Sequence, residues 1–484
     1  MTVDYDIVII GGTQAGHYAA QMATQFKAKV ALVEPKFSYE FIHQHVFSEI
    51  GKLTQQLNNT AQFGIKALYS DTTEEYQISL TWSEAMLYAQ SVASNLEELN
   101  SPAILAAQGI DVILGEGRFQ SSPHLTFVVG DRLLRARTYL LANGSVPIIP
   151  EIEGLQKTGF LNLSQIWQSI SSEAPPQNWV ILGGVPQSIQ VAQTLARLGC
   201  SVTLIVNSPL IIDHADPEIA QLLQAHLEAG GVRVLTQTSV TQVRIIENKK
   251  WLQAGDKAIE TDEIVVATAQ HPNVEFLNLA AVGVKWHHRR LVVNEKLQTT
   301  NHRIYACGDV IGGYDCPHIA NYEARIALKN ALFCPSHKVN YQCIPWGVFS
   351  QPILAQVGAT EAQAKRQYPQ DQILVLRQHF KTLAAAHIQE EITGICKLVV
   401  RRNGEILGAS ILGAQAHEFI NVIALAIAQK IKIYQIANLA SIFPSYSEIL
   451  EQTAREWDKQ KLQSNILKQE FLEGFFHFRR NWNI

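Results

Sequence analysis

A glycine-rich turn between two short apolar runs constrains the fold of this chain more than any other feature. The turn, residues 11–16, follows the apolar run 6–10, and an amphipathic stretch leads from it to a second apolar run, 29–33, which ends at Glu34. Strand, glycine turn, helix, strand and terminal acid within about thirty residues are the pattern of a dinucleotide-binding βαβ unit. The sequence therefore predicts a parallel α/β sheet with a helix N-terminus facing a pyrophosphate.

The residues of this turn have separate predicted roles. Gly11 permits the tight turn, Gly16 lets helix and strand pack closely, and Glu34 is placed to accept hydrogen bonds from an adenosine ribose. Thr13 occupies the middle glycine position, so its Cβ has to be tolerated close to the phosphate. An ordinary βα turn is the alternative, and the strand context and the terminal acid favour the nucleotide site. The predicted site comprises Gly11, Gly12, Thr13, Gln14, Ala15, Gly16 and Glu34.

A second unit of similar layout begins at residue 179, but its nucleotide chemistry is weakened. Val185 and Ser188 stand where the second and third glycines belong, and Pro186 removes a backbone N–H near the phosphate position. Val206 ends the return strand where an NAD enzyme has an acid. Two interpretations stay open: a weakened NAD(P)H site, or a structural relic.

Bulk composition excludes several classes of protein. The 484 residues are 47% hydrophobic and 17% charged, and the net charge of −4 gives no electrostatic case for binding nucleic acid. No export signal and no apolar run of membrane-spanning length is recognised, so a cytoplasmic location is expected.

The six cysteines form no CxxC or CxxxxC pair. His43 and His45 would share one face of a strand, but without further ligands at matching spacing no metal site is predicted.

Two later motifs extend the pattern. Residues 139–147 end in Ala-Asn-Gly-Ser-Val-Pro, and residues 304–310 read Ile-Tyr-Ala-Cys-Gly-Asp-Val. With both βαβ units, this layout resembles the pyridine nucleotide–disulfide oxidoreductases over nearly the whole chain. The resemblance implies FAD in the first unit, NAD(P)H in the second, and a homodimer. It adds FAD contacts at Lys52, Gly117, Ala142, Asn143, Gly144, Asp309 and His318. The NAD(P) contacts that it implies are Gly183, Gly184, Val185, Gln187, Ser188, Val206 and Ala269.

The resemblance also implies the architecture. The fold class is α/β, with two Rossmann-like dinucleotide-binding domains and a C-terminal α+β dimerisation domain. The predicted parts are an FAD-binding domain in 1–154, an NAD(P)-binding-like domain in 155–275, a second, central part of the FAD domain in 276–344, the dimerisation domain in 345–459 and a tail in 460–484.

Two departures from the family pattern concern its disulfide chemistry. Residues 34–52 contain no cysteine, although the family carries a redox-active Cys-x-x-x-x-Cys there; His43 and Ser48 fall near those positions. Phe443 stands where the family has a catalytic histidine, while the accompanying Glu448 is present. The expectation is an FAD-dependent enzyme that is not a disulfide reductase and passes electrons from NAD(P)H to a small acceptor such as a quinone. The alternative is a non-enzymatic FAD-binding redox sensor or assembly partner. Candidate residues near the flavin are Lys52, Ser48, His43 and Glu448.

The tail, residues 460–484, has no counterpart in the family. It gathers aromatic residues beside Arg479 and Arg480. Such a composition suits a membrane interface or a groove on a partner protein. Packing onto the chain's own dimer is the preferred interpretation, because large exposed apolar patches are uncommon.

Overall fold

The computed structural model describes residues 3–34, 41–58, 80–170, 175–287, 290–312, 316–463 and 466–482. The chain forms two compact units, each built from two segments. One unit consists of Met1–Ile205 and Thr238–Val339, and the other of Val206–Gln237 and Asn340–Ile484. The five-part division predicted from the sequence stays a prediction.

The first unit contains most of the strands and the first seven helices. Its strands are β1 (Tyr5–Ile10), β2 (Val30–Glu34), β3 (Ile110–Leu114), β4 (Gly117–Gln120), β5 (Thr126–Val129), β6 (Arg132–Leu134), β7 (Ala136–Leu141), β8 (Ser145–Pro147), β9 (Leu161–Asn162), β10 (Asn178–Leu182) and β11 (Ser201–Ile205). Its first helices are α1 (Gln14–Gln25), α2 (Phe41–Asn58), α3 (Trp82–Leu99), α4 (Pro102–Ala107), α5 (Leu155–Thr158), α6 (Ile166–Ser169) and α7 (Pro186–Arg197).

The chain then passes through the second unit and returns. The passage contains α8 (Pro217–Ala229) and β12 (Val232–Leu235). The returning segment contains β13 (Val240–Ile246), β14 (Lys249–Ala254), β15 (Lys257–Thr261), β16 (Glu263–Val266), β17 (Gln270–Pro272), β18 (Trp286–His287), β19 (Arg290–Leu291), β20 (Ile304–Ala306) and α9 (Pro317–Leu332).

The remaining elements belong to the second unit. Its strands are β21 (Trp346–Val348), β22 (Ile353–Gly358), β23 (Ile373–His379), β24 (Ile395–Arg401) and β25 (Ile406–Gly413). Its helices are α10 (Glu361–Gln367), α11 (Ala384–Ile388), α12 (Ala416–Ala428), α13 (Ile433–Ala437), α14 (Glu448–Gln463) and α15 (Ile466–Asn481).

A five-stranded parallel sheet in the order β20-β7-β1-β2-β3 is the centre of the first unit. Ile7 of β1 is opposite Val30 of β2 and Thr138 of β7. The middle of β1 is apolar and fully buried, as in parallel sheets that are covered on both faces. Because all five strands run in one direction, their carboxyl ends lie at one edge, where open α/β sheets bind ligands.

A second parallel sheet occupies the same unit. Within this unit its strands follow the order β11-β10-β16-β9, and α7 packs beside β11. Antiparallel sheets β4-β5-β6, β13-β14-β15, β17-β8 and β18-β19 belong to the same unit. Two Rossmann-like sheets and a separate C-terminal region therefore confirm the predicted fold class.

One local prediction is corrected. His43 and His45 lie on the helix α2, not on a strand, so residues two apart point in different directions. Helices α3 and α4 are separate because the chain turns at Ser101 before Pro102, which begins α4.

The second unit is built on an antiparallel sheet in the order β21-β22-β25-β24-β23. Helices α12 and α14 cover it with the buried side chains of Phe419, Ile423 and Ile449. Lys397 enters the interior from the sheet, and its side chain is 4% exposed. The sequence prediction of a mixed C-terminal domain is confirmed by this arrangement.

Candidate functional site

The turn after β1 requires glycine at two positions. Gly11 has φ +116°, and a Cβ on it would lie 2.2 Å from the carbonyl oxygen of Ala142. A Cβ on Gly16 would lie 2.0 Å from the carbonyl oxygen of Gly11. The predicted roles of these two residues, a tight turn and close packing of helix and strand, agree with this geometry.

Thr13 is the N-cap residue of α1, which explains why a threonine replaces the middle glycine. Its hydroxyl donates to the carbonyl oxygen of Ala142 at 2.8 Å and accepts from the N–H of Gly16 at 3.3 Å. Its backbone is extended, with φ −68°, so the side chain causes no strain. The threonine therefore links the start of α1 to the end of β7 and satisfies one helix N–H.

The carboxylate predicted to bind ribose has a partner within the protein. Nε2 of His17, in the first turns of α1, is 2.5 Å from Oε2 of Glu34 at the end of β2. Each residue is only 4% exposed. The sequence analysis missed His17, although a histidine directly after the last glycine of the fingerprint, with an acid ending the next strand, was a usable signal.

Two buried polar atoms at this edge have no hydrogen-bond partner among the described residues. They are Oε1 of Gln14, at the start of α1, and Oδ1 of Asn143, just after β7. Gly144 follows with φ +70°. Buried polar atoms are normally paired. A nucleotide cofactor with hydroxyl groups would provide donors for these acceptors, so the residues present fit FAD.

Asp309 reaches the same edge from a distant part of the sequence. It follows β20 and begins a short 3₁₀ helix, Gly308–Ile311. Its Oδ2 is 3.4 Å from Oγ of Ser145, which also donates to the side chain of Gln270. The N–H of Gly308 donates to the buried carboxylate of Glu323 at 2.7 Å. These contacts hold the Gly-Asp motif beside the end of β7.

The candidates in the cysteine-free segment lie on α2. His43 is buried there, and Ser48 and Lys52 are half-buried. Residues 35–40 of the same segment lie outside the described residues. Phe47 stacks on Trp167 with ring centroids 4.3 Å apart, which fixes this face of the helix against the protein interior.

Helix α2 is also joined to α7, the helix of the second glycine turn. Nε2 of Gln44 donates to Oγ1 of Thr194 at 3.3 Å, and Nε2 of Gln190 is 3.2 Å from Nδ1 of His45. Gln190 of α7 is thus a partner of His45 of α2. The segment beside the predicted flavin is connected directly to the second nucleotide unit.

Three further candidates occupy different environments. Gly117 begins β4, and a Cβ on it would lie 2.4 Å from the ring of Phe127, so the sheet itself requires this glycine. His318 is exposed near the start of α9. Glu448 belongs to the second unit and begins α14, where its carboxylate accepts from the N–H of Ser445 at 2.8 Å.

The second glycine turn keeps its backbone shape. Gly183 has φ +126°, and a Cβ on it would lie 1.9 Å from the carbonyl oxygen of Ala267. The hydroxyl of Ser188, buried in α7, lies 2.8 Å from the carbonyl oxygen of Gly183 and 2.7 Å from that of Val185. Ser188 can therefore replace a glycine because its hydroxyl is bonded inside the turn.

The other residues that are predicted to contact NAD(P) differ in their exposure to solvent. Gly184 and Gln187 are half-buried, Val206 is buried and Ala269 is exposed. Val185 precedes α7 without capping it by a side chain, and Pro186 is the first residue of the helix. A phosphate at this turn would meet backbone N–H groups and no charged side chain of the set.

Cysteine chemistry is restricted by burial. Burial raises the pKa of Cys200 to about 11 and that of Cys396 to about 12. Burial, with the nearby Glu323 and Asp309 carboxylates, raises the pKa of Cys307 well above its ordinary value. These three thiols are poor nucleophiles near neutral pH. Among the described residues, no group of three or more His, Cys, Asp and Glu is arranged to hold a metal ion.

Comparison with known proteins matches two family profiles. The pyridine nucleotide-disulphide oxidoreductase profile matches residues 5–392, and the dimerisation domain of the same family matches residues 344–454. A mercuric reductase of Staphylococcus aureus is 28% identical over 470 residues, covering 94% of this chain and 83% of that protein. A dihydrolipoyl dehydrogenase of Synechocystis is 28% identical over 477 residues, covering 93% of this chain and 98% of the relative.

Solved structures agree on the fold. The flavoprotein disulfide reductase RclA of Escherichia coli, in a Cu(II) complex, gives a TM-score of 0.80 at 22% identity, covering 94% of this chain and 100% of that one. LpdA of Mycobacterium tuberculosis gives a TM-score of 0.82 at 21% identity, covering 93% and 99%.

These relatives correct the functional expectation. A family defined by disulphide oxidoreduction, with relatives named mercuric reductase and dihydrolipoyl dehydrogenase, points to disulfide chemistry. The predictions of a quinone-type electron transfer without such chemistry, and of a non-enzymatic sensor, are therefore wrong. Those two predictions gave more weight to the absence of two cysteines from one segment than to the resemblance of the entire chain to the family. The prediction of FAD with a pyridine nucleotide is confirmed, since the family uses both.

Proposed function

The chain belongs to the pyridine nucleotide-disulphide oxidoreductase family, and we propose that it moves two electrons between NAD(P)H and a disulfide substrate through FAD. One observation carries the proposal. The glycine turn after β1, Glu34 after β2 and Asp309 after β20 come from distant parts of the sequence and lie at one edge of a parallel sheet. Ligands of open α/β sheets bind at that edge.

The reaction is balanced without any further oxidant or reductant. In one direction NAD(P)H and a proton reduce a disulfide, giving NAD(P)⁺ and two thiols; the reverse oxidises a dithiol. Bound FAD supplies the two-electron chemistry that joins the two half-reactions. The protein supplies binding, orientation and proton transfer.

The sulfur atoms of the reaction come from the substrate under this proposal. All six cysteines lie outside residues 34–52, the segment in which the family has its redox pair. Three of the six, Cys200, Cys307 and Cys396, are buried and hold their protons, as their raised pKa values indicate. A substrate disulfide that approaches the flavin directly needs no relay through a protein disulfide.

His43 is the proposed proton donor to the departing thiolate. An imidazole exchanges protons near neutral pH, and His43 lies on α2, near the position of a family cysteine. Lys52, about two and a half turns further along the same helix, is the proposed cation beside the flavin. The role of His43 is tested by the His43→Gln variant described below.

The turn at residues 183–188 is the proposed NAD(P)H site. Support comes from its retained backbone shape and from the bonds that join α2 to α7. No arginine or strand-end acid distinguishes NADH from NADPH there, so we expect the two nucleotides to be used with similar efficiency.

Two observations concern the assembly of the protein and its relation to membranes. The chain carries the family's dimerisation domain, which supports a homodimer. No helix among the described residues is long and apolar enough to cross a membrane. A cytoplasmic location and a small-molecule electron acceptor stay predictions.

Steady-state assays on thiol-blocked protein test this proposal. The purified flavoprotein is alkylated with iodoacetamide and assayed with NADH or NADPH and with lipoamide or glutathione disulfide. We expect turnover that survives alkylation and falls at least tenfold in His43→Gln, while His302→Gln, an exposed histidine change elsewhere, has no effect. Turnover abolished by alkylation would place the reactive sulfur in the protein and contradict a substrate-supplied disulfide.

A further inference from the structure

The C-terminal helix α15 carries a continuous apolar stripe that the described residues do not cover. The stripe consists of Leu467, Phe471, Phe475, Phe478 and Trp482, all between 44% and 78% exposed. Their spacing of four, four, three and four residues puts them on one side of a helix. The rings of Phe478 and Trp482 are 4.9 Å apart, and those of Phe471 and Phe475 are 6.3 Å apart.

A different side of α15 faces the rest of its unit. Leu472 and Gln469 are half-buried, and Nε2 of Gln469 donates to the carbonyl oxygen of Leu462 on α14 at 2.8 Å. The helix is therefore attached through one side while the stripe points away from that attachment. Single exposed aromatic residues are common, but a stripe of this length marks an interaction surface.

Charged residues are distributed unevenly around the stripe. Lys468 and Arg479 are eleven residues apart, about three turns, so they lie along the same edge of it. Glu470, Glu473 and Arg480 lie on the other side of the helix. Apolar aromatics bordered by cations form the pattern of a helix that lies in the interface of an anionic membrane.

We propose that α15 docks on an anionic lipid surface, with the stripe inserted among the acyl chains and Lys468 and Arg479 at the phosphate headgroups. The aromatic rings suit this depth because they tolerate both water and lipid at the interface. A second copy of the helix is a poorer occupant. Antiparallel pairing of two stripes would align their basic edges, and like charges would then repel.

Vesicle sedimentation tests the proposal with the full-length flavoprotein. One set of vesicles is phosphatidylcholine and the other contains phosphatidylglycerol as well. We expect binding to the anionic vesicles, weak binding to the neutral ones, and a decrease as salt is raised. Phe475→Ser with Phe478→Ser should reduce binding at least tenfold, and Lys468→Gln with Arg479→Gln should reduce it on the anionic vesicles alone.

His477→Ser is the matched control, because His477 lies on the side of α15 away from the stripe. It should bind vesicles as the wild type does, and bound flavin in every variant shows that the protein is folded. Absence of wild-type binding, or full binding by the double phenylalanine variant, overturns the proposal. A change in the mass of the assembly in that variant, without any vesicle binding, identifies a second copy as the occupant.

Discussion

Nε2 of His17 and Oε2 of Glu34 are 2.5 Å apart, and both side chains are buried at the carboxyl edge of the central sheet. The contact joins the first turns of α1 to the end of β2. It holds Oε2 of the carboxylate, and we expect Oε1 to accept a hydrogen bond from a ribose hydroxyl of FAD. His17 is thus a positioning residue for the group that we expect to bind FAD.

Replacing His17 tests that role. His17→Leu should lower the free energy of unfolding by about 2 kcal/mol, because the buried Glu34 carboxylate loses its donor. FAD affinity should fall about tenfold or more, measured by flavin fluorescence on dilution. His17→Gln keeps an N–H donor and should restore part of both. If His17→Leu retains wild-type stability and FAD affinity, the contact has no positioning role.

Gly12 tests the same carboxylate oxygen, Oε2 of Glu34. A Cβ on Gly12 would lie 2.6 Å from Oε2 of Glu34, so Gly12→Ala should displace the carboxylate and weaken FAD binding. Gly474→Ala is the matched control, since a Cβ on Gly474 meets no atom within 4 Å. It should keep FAD and favour helix α15 by up to about 1 kcal/mol. Equal FAD contents in the two purified variants would contradict the account.

The sequence predicted the parts of this site that depend on local pattern. The glycine turn, Glu34 and Asp309 follow from short motifs whose backbone geometry allows few alternatives. The partnership of His17 with Glu34 depends on how α1 packs against β2, and the position of the histidine directly after the last glycine was the one sequence signal for it. The segment containing His43 was assigned to a strand because two alternating histidines were considered without the helical spacing of the apolar residues around them.

The second unit contains a buried cluster of charged side chains that could not be predicted from the sequence, because its members are far apart along the chain. Nζ of Lys397 is within 3.0 Å of carboxylate oxygens of Asp216, Glu218 and Glu361. Lys397 and Asp216 are 181 residues apart in sequence, so only the folded chain brings them together. Breaking a buried ion pair commonly costs about 3–5 kcal/mol, and we expect Lys397→Met to destabilise the protein by a comparable amount in urea unfolding.

The cluster has a defined pH dependence. Burial raises the pKa of Glu361, but hydrogen bonds from Lys365 and Lys397 outweigh it and lower that pKa to about 2. Because the folded-state pKa is depressed, the ionised carboxylate stabilises the fold above the unfolded-state pKa of about 4.3. This contribution decreases as pH falls from there toward 2.

Glu361→Gln separates this contribution from general acid unfolding. The variant should be less stable than the wild type by about 2 kcal/mol at pH 7. The difference should stay constant down to about pH 5 and shrink below it. Unfolding in urea at a series of pH values measures this difference. A difference that is constant down to pH 3.5, or that grows on acidification, would show that Glu361 is not the stabilising carboxylate.

The dimerisation domain gives a prediction about assembly. Leu425 on α12 is 59% exposed in a single chain, and the apolar helix around it is the expected contact with a second copy. Leu425→Glu should place a charge in that contact and shift the mass in light scattering toward the 53.8 kDa of one chain. Leu133→Glu, at a leucine of the first unit that is 51% exposed, should remain dimeric.

Anaerobic spectroscopy of the purified protein tests the central claim most directly. Bound flavin is reduced with one equivalent of NADH or NADPH, a disulfide such as lipoamide is added without oxygen, and the thiols formed are counted. We expect either nucleotide to bleach the flavin and the disulfide to restore its colour. Two thiols should form for each flavin that is reoxidised. A flavin that a nucleotide bleaches but that no disulfide restores, while a thiol-free dye does, would contradict that claim.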